Sequence, residues 1–211
     1  KAKDFQYHKN KIIKEFLEAI QYLHNKGIAH CDIKLDNIVI DSNFNAKLSD
    51  FGYSQTEPIC SDELKFGTLL YAPPELFIKG DFWTFKADIW EVGITLYCIS
   101  EGDFPYNVTD KNSIIEQIIT HNLKFKSSLP EGLKKIIEKC TNMRIEKRPT
   151  ISEIIKDEYF PWNHECNNET SCHDKFDLLK LNRKNKKRNT NSVCIFKDEA
   201  IIYNFDNIIY V

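Results

Sequence analysis

The stretch HCDIKLDNIVI, residues 30–40, sets an aspartate, a lysine and an asparagine directly ahead of an apolar run. Ile38-Val39-Ile40 reads as a short strand, Asp41-Ser42-Asn43 as a turn, and Ala46–Ser49 as the partner strand of a hairpin. Asp50-Phe51-Gly52 closes that unit. Asn37 lies just before the first strand and Asp50 just after the second, so a hairpin returns both to the same end. Asp32, Asn37 and Asp50 are hard oxygen donors, which suits a magnesium site completed by phosphate oxygens. Lys34 is near enough to meet the same phosphate as a point charge. Asp32 is then left to accept a proton from an incoming hydroxyl. Taken singly, each of these residues reads most simply as a turn or solvent-facing residue. The joint pattern is what carries chemistry.

Outward from this stretch the chain reads as helical. Ile12, Ile13, Phe16, Leu17, Ile20 and Leu23 have helical spacing across 11–26, and Gly27 follows as a stop. Residues 53–70 show little periodicity and read as a long surface loop, and Pro73-Pro74 breaks structure ahead of Glu75. Asp88–Ile99 is apolar on nearly all sides, as in a helix at the centre of a domain. Ile114, Ile115, Ile118 and Ile119 mark another helix, and Leu133, Ile136, Ile137 and Cys140 one more. Before Ile151, Thr150 and Glu153 have the spacing of a capping box.

Length and composition bound the rest. A chain of 211 residues with 42% apolar residues can bury a sizeable core, as one domain or one domain with an appendage. A net charge of −2 argues against a dedicated nucleic-acid binder. Seven scattered cysteines fit a reduced, intracellular setting better than a disulfide scaffold. The polar N-terminal residues do not form a signal peptide, and Val92–Ile99 is too short to span a bilayer. The expected location is cytoplasmic, with the nucleus as an alternative. After Trp162 the texture changes. Residues 1–162 read as the domain, 163–192 as a polar, basic linker, and 193–211 as strands or a sticky tail. The linker run KLNRKNKKR at 180–188 holds six basic residues and no acidic one, most simply a solvated segment. His164, Cys166, Cys172 and His173 are metal-capable but lack the spacing of a standard zinc knuckle.

His30, Asp32, Lys34 and Asn37, followed by Asp50-Phe51-Gly52, resemble the catalytic loop and metal-binding motif of a protein kinase. The resemblance continues in order through residues 1–162. Gly67-Thr68 and Tyr71-Ala72-Pro73-Pro74-Glu75 resemble the end of an activation segment. Asp88-Ile89-Trp90-Glu91-Val92-Gly93 resembles the start of the buried central helix, and Gly102-Asp103-Phe104-Pro105-Tyr106 the turn after it. Arg148-Pro149 resembles the late arginine that pairs with the glutamate at Glu75.

The resemblance implies roles. Asp32 would orient a substrate hydroxyl and accept its proton, and Lys34 would steady the transferring phosphoryl group. Asn37 and Asp50 would hold Mg2+, Val39 would lie under adenine, and Thr68 would support the loop with Lys34, as in serine/threonine kinases. His30, Phe51 and Gly52 would be structural. Asp88 would bind catalytic-loop amides, and Glu75 and Arg148 would form a buried pair. ATP would be the co-substrate, and a protein bearing serine or threonine the partner. The run Phe85–Cys98 is similar to calmodulin-dependent kinases and their upstream kinases.

Two departures stand out. Most members have arginine where this chain has Cys31; that arginine orders a phosphorylated activation segment. The departure spares the chemistry and changes regulation, leaving packing, a partner or Lys65 to hold the segment. Ser54, Thr56 and Ser61 are candidate phosphosites, and Cys31 a candidate regulatory thiol whose acid neighbour would raise its pKa. The second departure is larger. The family's small lobe supplies a glycine-rich loop, a strand lysine and a helix glutamate, none of which stands in these residues. The expected fold is mainly α with a short β-hairpin, a protein-kinase-like C-lobe with the N-lobe absent from this chain. The expected function is that of a serine/threonine kinase seen as a fragment, needing a small lobe or a small-lobe-like partner. The alternative is a C-lobe-only scaffold or pseudokinase acting through protein–protein contact.

Overall fold

The computed structural model describes residues 2–56, 67–78 and 84–163, and the strand segments 192–196, 199–204 and 207–210. Helix α1 (Ala2–Asn25) buries Ile12, Phe16, Leu17 and Ile20 against the core. It begins well before the residue-11 boundary that periodicity gives, because the stretch before Lys11 carries no regular apolar stripe to announce it. Its end is a Schellman cap. Gly27 N–H donates to His24 O at 3.0 Å and Ile28 N–H to Leu23 O at 2.9 Å, with Gly27 at φ +72°. The turn aims the chain straight into the 30–40 stretch.

Strands β1 (Ile38–Ile40) and β2 (Ala46–Leu48) pair antiparallel, with Ile38 opposite Leu48 and Ile40 opposite Ala46. Asp41 shapes the turn, since its Oδ1 accepts from the amides of Asn43 and Asn45 at 2.9 Å each. Helix α1 grips this hairpin: Glu15 Oε2 accepts Ala46 N–H at 2.7 Å, and Lys11 Nζ donates to Asn45 Oδ1 at 2.7 Å.

Helix α2 (Thr84–Glu101) is the spine of the domain, with Ile89, Trp90, Val92, Ile94 and Leu96 all buried. Both of its faces are used. Ile89, Val92 and Leu96 join the core built on α1, while Trp90, Ile94 and Cys98 join a second one with Tyr71 and Tyr106. Helices α3 (Lys111–Ile119), α4 (Glu131–Cys140) and α5 (Ile151–Ile155) complete the helical layer. Asp110 caps α3 through the amides of Asn112 and Ser113, and Thr150 with Glu153 forms a capping box on α5. Within the expected loop 53–70, Gln55 bridges back to Ala29 and Leu69–Tyr71 forms a 3-10 turn. Toward the C-terminus, β3 (Ser192–Phe196), β4 (Glu199–Asn204) and β5 (Asn207–Tyr210) form an antiparallel sheet in that order. Ser61 and Lys65, the basic run 180–188, and the His164/Cys166/Cys172/His173 group lie outside the described residues. Among the described residues, no helix is long and apolar enough to cross a membrane.

Within residues 2–163, the mainly helical fold with the short β1–β2 hairpin, a kinase-type C-lobe, is what the sequence patterns indicate. Gly27→Ala tests the cap that launches the site-bearing segment. Nothing lies within 4 Å of an added Cβ, so the cost is backbone strain alone. That strain is about 1 kcal/mol, read as a lower urea midpoint at unchanged m-value.

Candidate active site

The loop from His30 to Ile33 is buried and carries almost no secondary structure of its own. His30 and Cys31 are 0% exposed and Asp32 is 2% exposed, so their amides need partners. Helix α2 supplies most of them. Asp88 Oδ2 accepts His30 N–H and Asp88 Oδ1 accepts Cys31 N–H, both at 2.8 Å. Glu91 Oε2 accepts Ile33 N–H at 2.8 Å. The remaining amide, Asp32 N–H, donates to His30 Nδ1 at 3.3 Å. His24, at the end of α1, adds a bond from Nε2 to Asp88 Oδ2 at 2.8 Å.

His30 is fixed as a neutral ring. Nδ1 accepts from Asp32, which leaves Nε2 to donate to Ser49 O at 3.1 Å. Burial pushes the imidazole below its ordinary range, against the opposing pull of Asp88. Phe51 packs on it, ring centroids 5.1 Å apart, with Phe51 itself 39% exposed.

Cys31 and Asp50 both take the left-handed backbone, at φ +60° and +61°. Such a conformation costs about 1–3 kcal/mol at a non-glycine residue and needs a surrounding structure that enforces it. At Cys31 that enforcement is complete burial and the Asp88 bond. Burial first, then the Asp88 carboxylate, push the thiol far above its ordinary range. The thiolate is therefore suppressed, which runs against a reactive-thiol role. Of the candidate phosphosites, Ser54 donates to His30 O at 3.3 Å, and Thr56 is exposed.

Asp32, Lys34 and Thr68 form a closed polar triangle. Lys34 Nζ donates to Asp32 Oδ2 at 2.9 Å and to Thr68 Oγ1 at 2.7 Å, and Thr68 Oγ1 donates to Asp32 Oδ1 at 3.1 Å. Gly67 and Thr68 thus lie directly over the loop. A Cβ on Gly67 would sit 1.9 Å from Asp32 Oδ1, so only glycine permits this approach. Asn37 Nδ2 donates to Asp32 O at 2.8 Å and Oδ2 at 3.2 Å, leaving its amide oxygen for another partner.

The hairpin brings Asn37 and Asp50 to the same end. Ser49 binds Asn37 O through its N–H at 2.8 Å and its hydroxyl at 3.1 Å. Asp50 Oδ1 accepts Gly52 N–H at 3.3 Å. A carboxylate and an amide oxygen are the donor set of a magnesium ion that draws its other ligands from phosphates and water. Among the described residues no cluster of three His, Cys, Asp or Glu side chains could hold a metal unaided. Val39, on β1, is 45% exposed.

Farther out, Arg148 Nη1 and Nη2 donate to Glu75 Oε1 and Oε2 at 2.6 and 2.7 Å. Arg148 Nε binds Asn142 O and Nη1 also binds Lys86 O, at 2.9 Å each, and its guanidinium lies 5.1 Å from the Trp90 ring centroid. Lys86 Nζ donates to Arg148 O. This anchor ties the segment through Pro73-Pro74-Glu75 to the helical core.

Two participants carry no motif role in the sequence reading: His24 and Glu91. A signal for Glu91 exists in hindsight. Asp88 and Glu91 are acids three apart in an otherwise apolar stretch, and buried acids must find donors.

Comparison with known proteins agrees with this geometry. The model of the protein kinase domain matches residues 4–160. Serine/threonine-protein kinase ppk34 of Schizosaccharomyces pombe is 34% identical over 158 residues, covering 71% of this chain and 43% of that protein. Aurora kinase C of Mus musculus is 30% identical over 154 residues, covering 73% of this chain and 54% of its own length. CBL-interacting serine/threonine-protein kinase 8 of Arabidopsis thaliana is 33% identical over 152 residues, covering 71% of this chain and 34% of its own length. The chain spans about half or less of the length of these relatives.

The Glu75–Arg148 pair gives a direct test, since their side chains are 6% and 0% exposed. Glu75→Gln or Arg148→Met strands a buried charge and should cost about 3–5 kcal/mol in urea unfolding. The double variant should cost clearly less than the two singles summed.

Proposed function

The chain belongs to the protein kinase family, and from that premise we propose that it carries the phosphoryl-transfer machinery of a serine/threonine kinase, moving the ATP γ-phosphoryl group to a protein hydroxyl. The observation that carries this reading is the Asp32–Lys34–Thr68 triangle. In it, one oxygen of Asp32 faces an ammonium and the other a hydroxyl, so the carboxylate is oriented before any substrate arrives. A substrate hydroxyl entering here would give its proton to Asp32 as it attacks. Lys34 would then turn its charge to the transferring phosphoryl oxygens. Thr68 would keep the activation-segment end in register with the loop.

Magnesium, when bound through Asn37 and Asp50, supplies charge neutralisation for the phosphates. Asn37 serves this role with an amide whose nitrogen is already tied to Asp32. Asp50 is presented by its left-handed backbone next to Ser49. Val39 is exposed enough to lie under an adenine ring. A nucleotide held there needs a second wall over Val39, which this reading assigns to a small lobe in a longer product or to a partner that stands in for one. Within the family, the likeness of Phe85–Cys98 and Pro73-Pro74-Glu75 to calmodulin-dependent kinases and their upstream kinases supports that subgroup. With Cys31 uncharged and buried, Thr68, Gly67 and the Glu75–Arg148 anchor would hold the described end of the activation segment, residues 67–78, in place of an arginine–phosphate contact.

The test is phosphate transfer from Mg-ATP to a generic serine/threonine substrate by the full-length product. Asp32→Asn should lower turnover by about 10²–10⁴-fold, and Asp50→Asn should abolish Mg-dependent transfer. Transfer that survives Asp50→Asn sinks the metal assignment. A folded full-length protein that fails to bind Mg-ATP favours the non-catalytic scaffold.

A further inference from the structure

Helix α2 places two acids under the loop, Asp88 and Glu91, both 0% exposed. They are not equivalent. Asp88 receives three donors, from His24, His30 and Cys31, which suits an ionised carboxylate. Glu91 receives one. Its Oε2 accepts Ile33 N–H at 2.8 Å, and its Oε1 has no hydrogen-bond partner among the described residues. A bare carboxylate oxygen at that depth, one helical turn from a second carboxylate, is far more costly than a neutral carboxyl.

The surrounding charges point the same way. From its own helix Glu91 faces Asp88, and from the loop it faces Asp32 and Cys31. The opposing cation is Lys34, which is already bound to Asp32 and Thr68. Beyond Trp90, Arg148 is engaged with Glu75. Burial first, then the Asp88 carboxylate, raise the Glu91 carboxyl well above its ordinary range, with the Ile33 amide pulling the other way.

We propose that Glu91 is a positioning residue for Asp32: its carboxyl holds the Ile33 amide, fixing the backbone immediately after Asp32, and placing a full charge on its unpartnered oxygen, beside Asp88, destabilises the loop that carries Asp32. The role of Asp32 rests on the phosphoryl-transfer reading; the clamp itself rests on the fold. The sign of the pH dependence follows. A carboxyl whose folded value lies above its unfolded one contributes its full stability below the ordinary carboxyl range, and loses it as pH rises through that range towards the folded value.

Two variants separate the possibilities. Glu91→Gln keeps an acceptor for Ile33 N–H and cannot ionise, whereas Glu91→Leu keeps the bulk and removes the acceptor. In urea unfolding of the 211-residue chain between about pH 5 and 9, Gln should gain on wild type, the ratio of folding constants growing by up to about tenfold per pH unit. A ratio that stays flat with pH overturns the neutral carboxyl. Hydrogen exchange at the Ile33 amide should be slow in wild type and Gln and at least about tenfold faster in Leu, since a lost acceptor is a lost hydrogen bond. Equal protection in all three overturns the clamp. If Leu does not fold, the pH series on Gln decides alone. In the full-length kinase assay, the alkaline fall of kcat should move to higher pH in Gln with KM for ATP unmoved, a split that a merely structural glutamate would not produce. An unmoved alkaline limb counts against the proposal. Absence of transfer from every form, wild type included, would instead sink the kinase reading, and the urea and exchange results would still decide the clamp.

Discussion

Four consecutive backbone amides, from His30 to Ile33, give their hydrogen bonds to side chains and none to the backbone of a strand or helix. Three of those bonds end on Asp88 and Glu91, on one turn of helix α2. A segment without a ladder of its own takes its shape from whatever receives its donors. Here the receiver is a helix buried on both sides, fixed by two apolar clusters. The loop therefore inherits the rigidity of the core. That rigidity also lets Cys31 keep a left-handed backbone that it would not adopt unaided.

The second set of constraints runs from the opposite side. The segment 67–78 is pinned at one end by Thr68 and Gly67 on Asp32, and at the other by the bidentate Glu75–Arg148 bond. Arg148 uses Nε, Nη1 and Nη2, and rests on Trp90, a residue of the same helix that holds the loop. Loop and segment thus share one foundation. Their relative position is set by covalent neighbours on α2, Asp88 and Glu91 on one side and Trp90 on the other.

What the sequence revealed was what depends on neighbours in the chain. The 38–48 hairpin was legible from a short apolar run and its turn residues, and α4 from Leu133, Ile136, Ile137 and Cys140. The α5 cap was legible from Thr150 and Glu153, whose bonds span three residues. The start of α1 was not, because residues before Lys11 add helix without adding a stripe. Neither was the bond of Glu91 to Ile33, which joins residues 58 apart. Periodicity reports which face is apolar and says nothing about which distant amide a buried acid will meet. The polar triangle lies between these cases. The motif names its members, but the approach of Gly67 to Asp32 comes only from the folded chain.

The His30 ring has a consequence of its own. One nitrogen accepts a hydrogen bond from the Asp32 amide and the other donates one to the Ser49 carbonyl. The ring is therefore a rigid spacer of fixed length between the backbone at Asp32 and the backbone beside Asp50. A displacement of the Asp50 strand end has to stretch one bond or rotate the imidazole, and in either case it is felt at Asp32. Two residues far apart in sequence are thereby geared together through a five-membered ring that never touches a reactant.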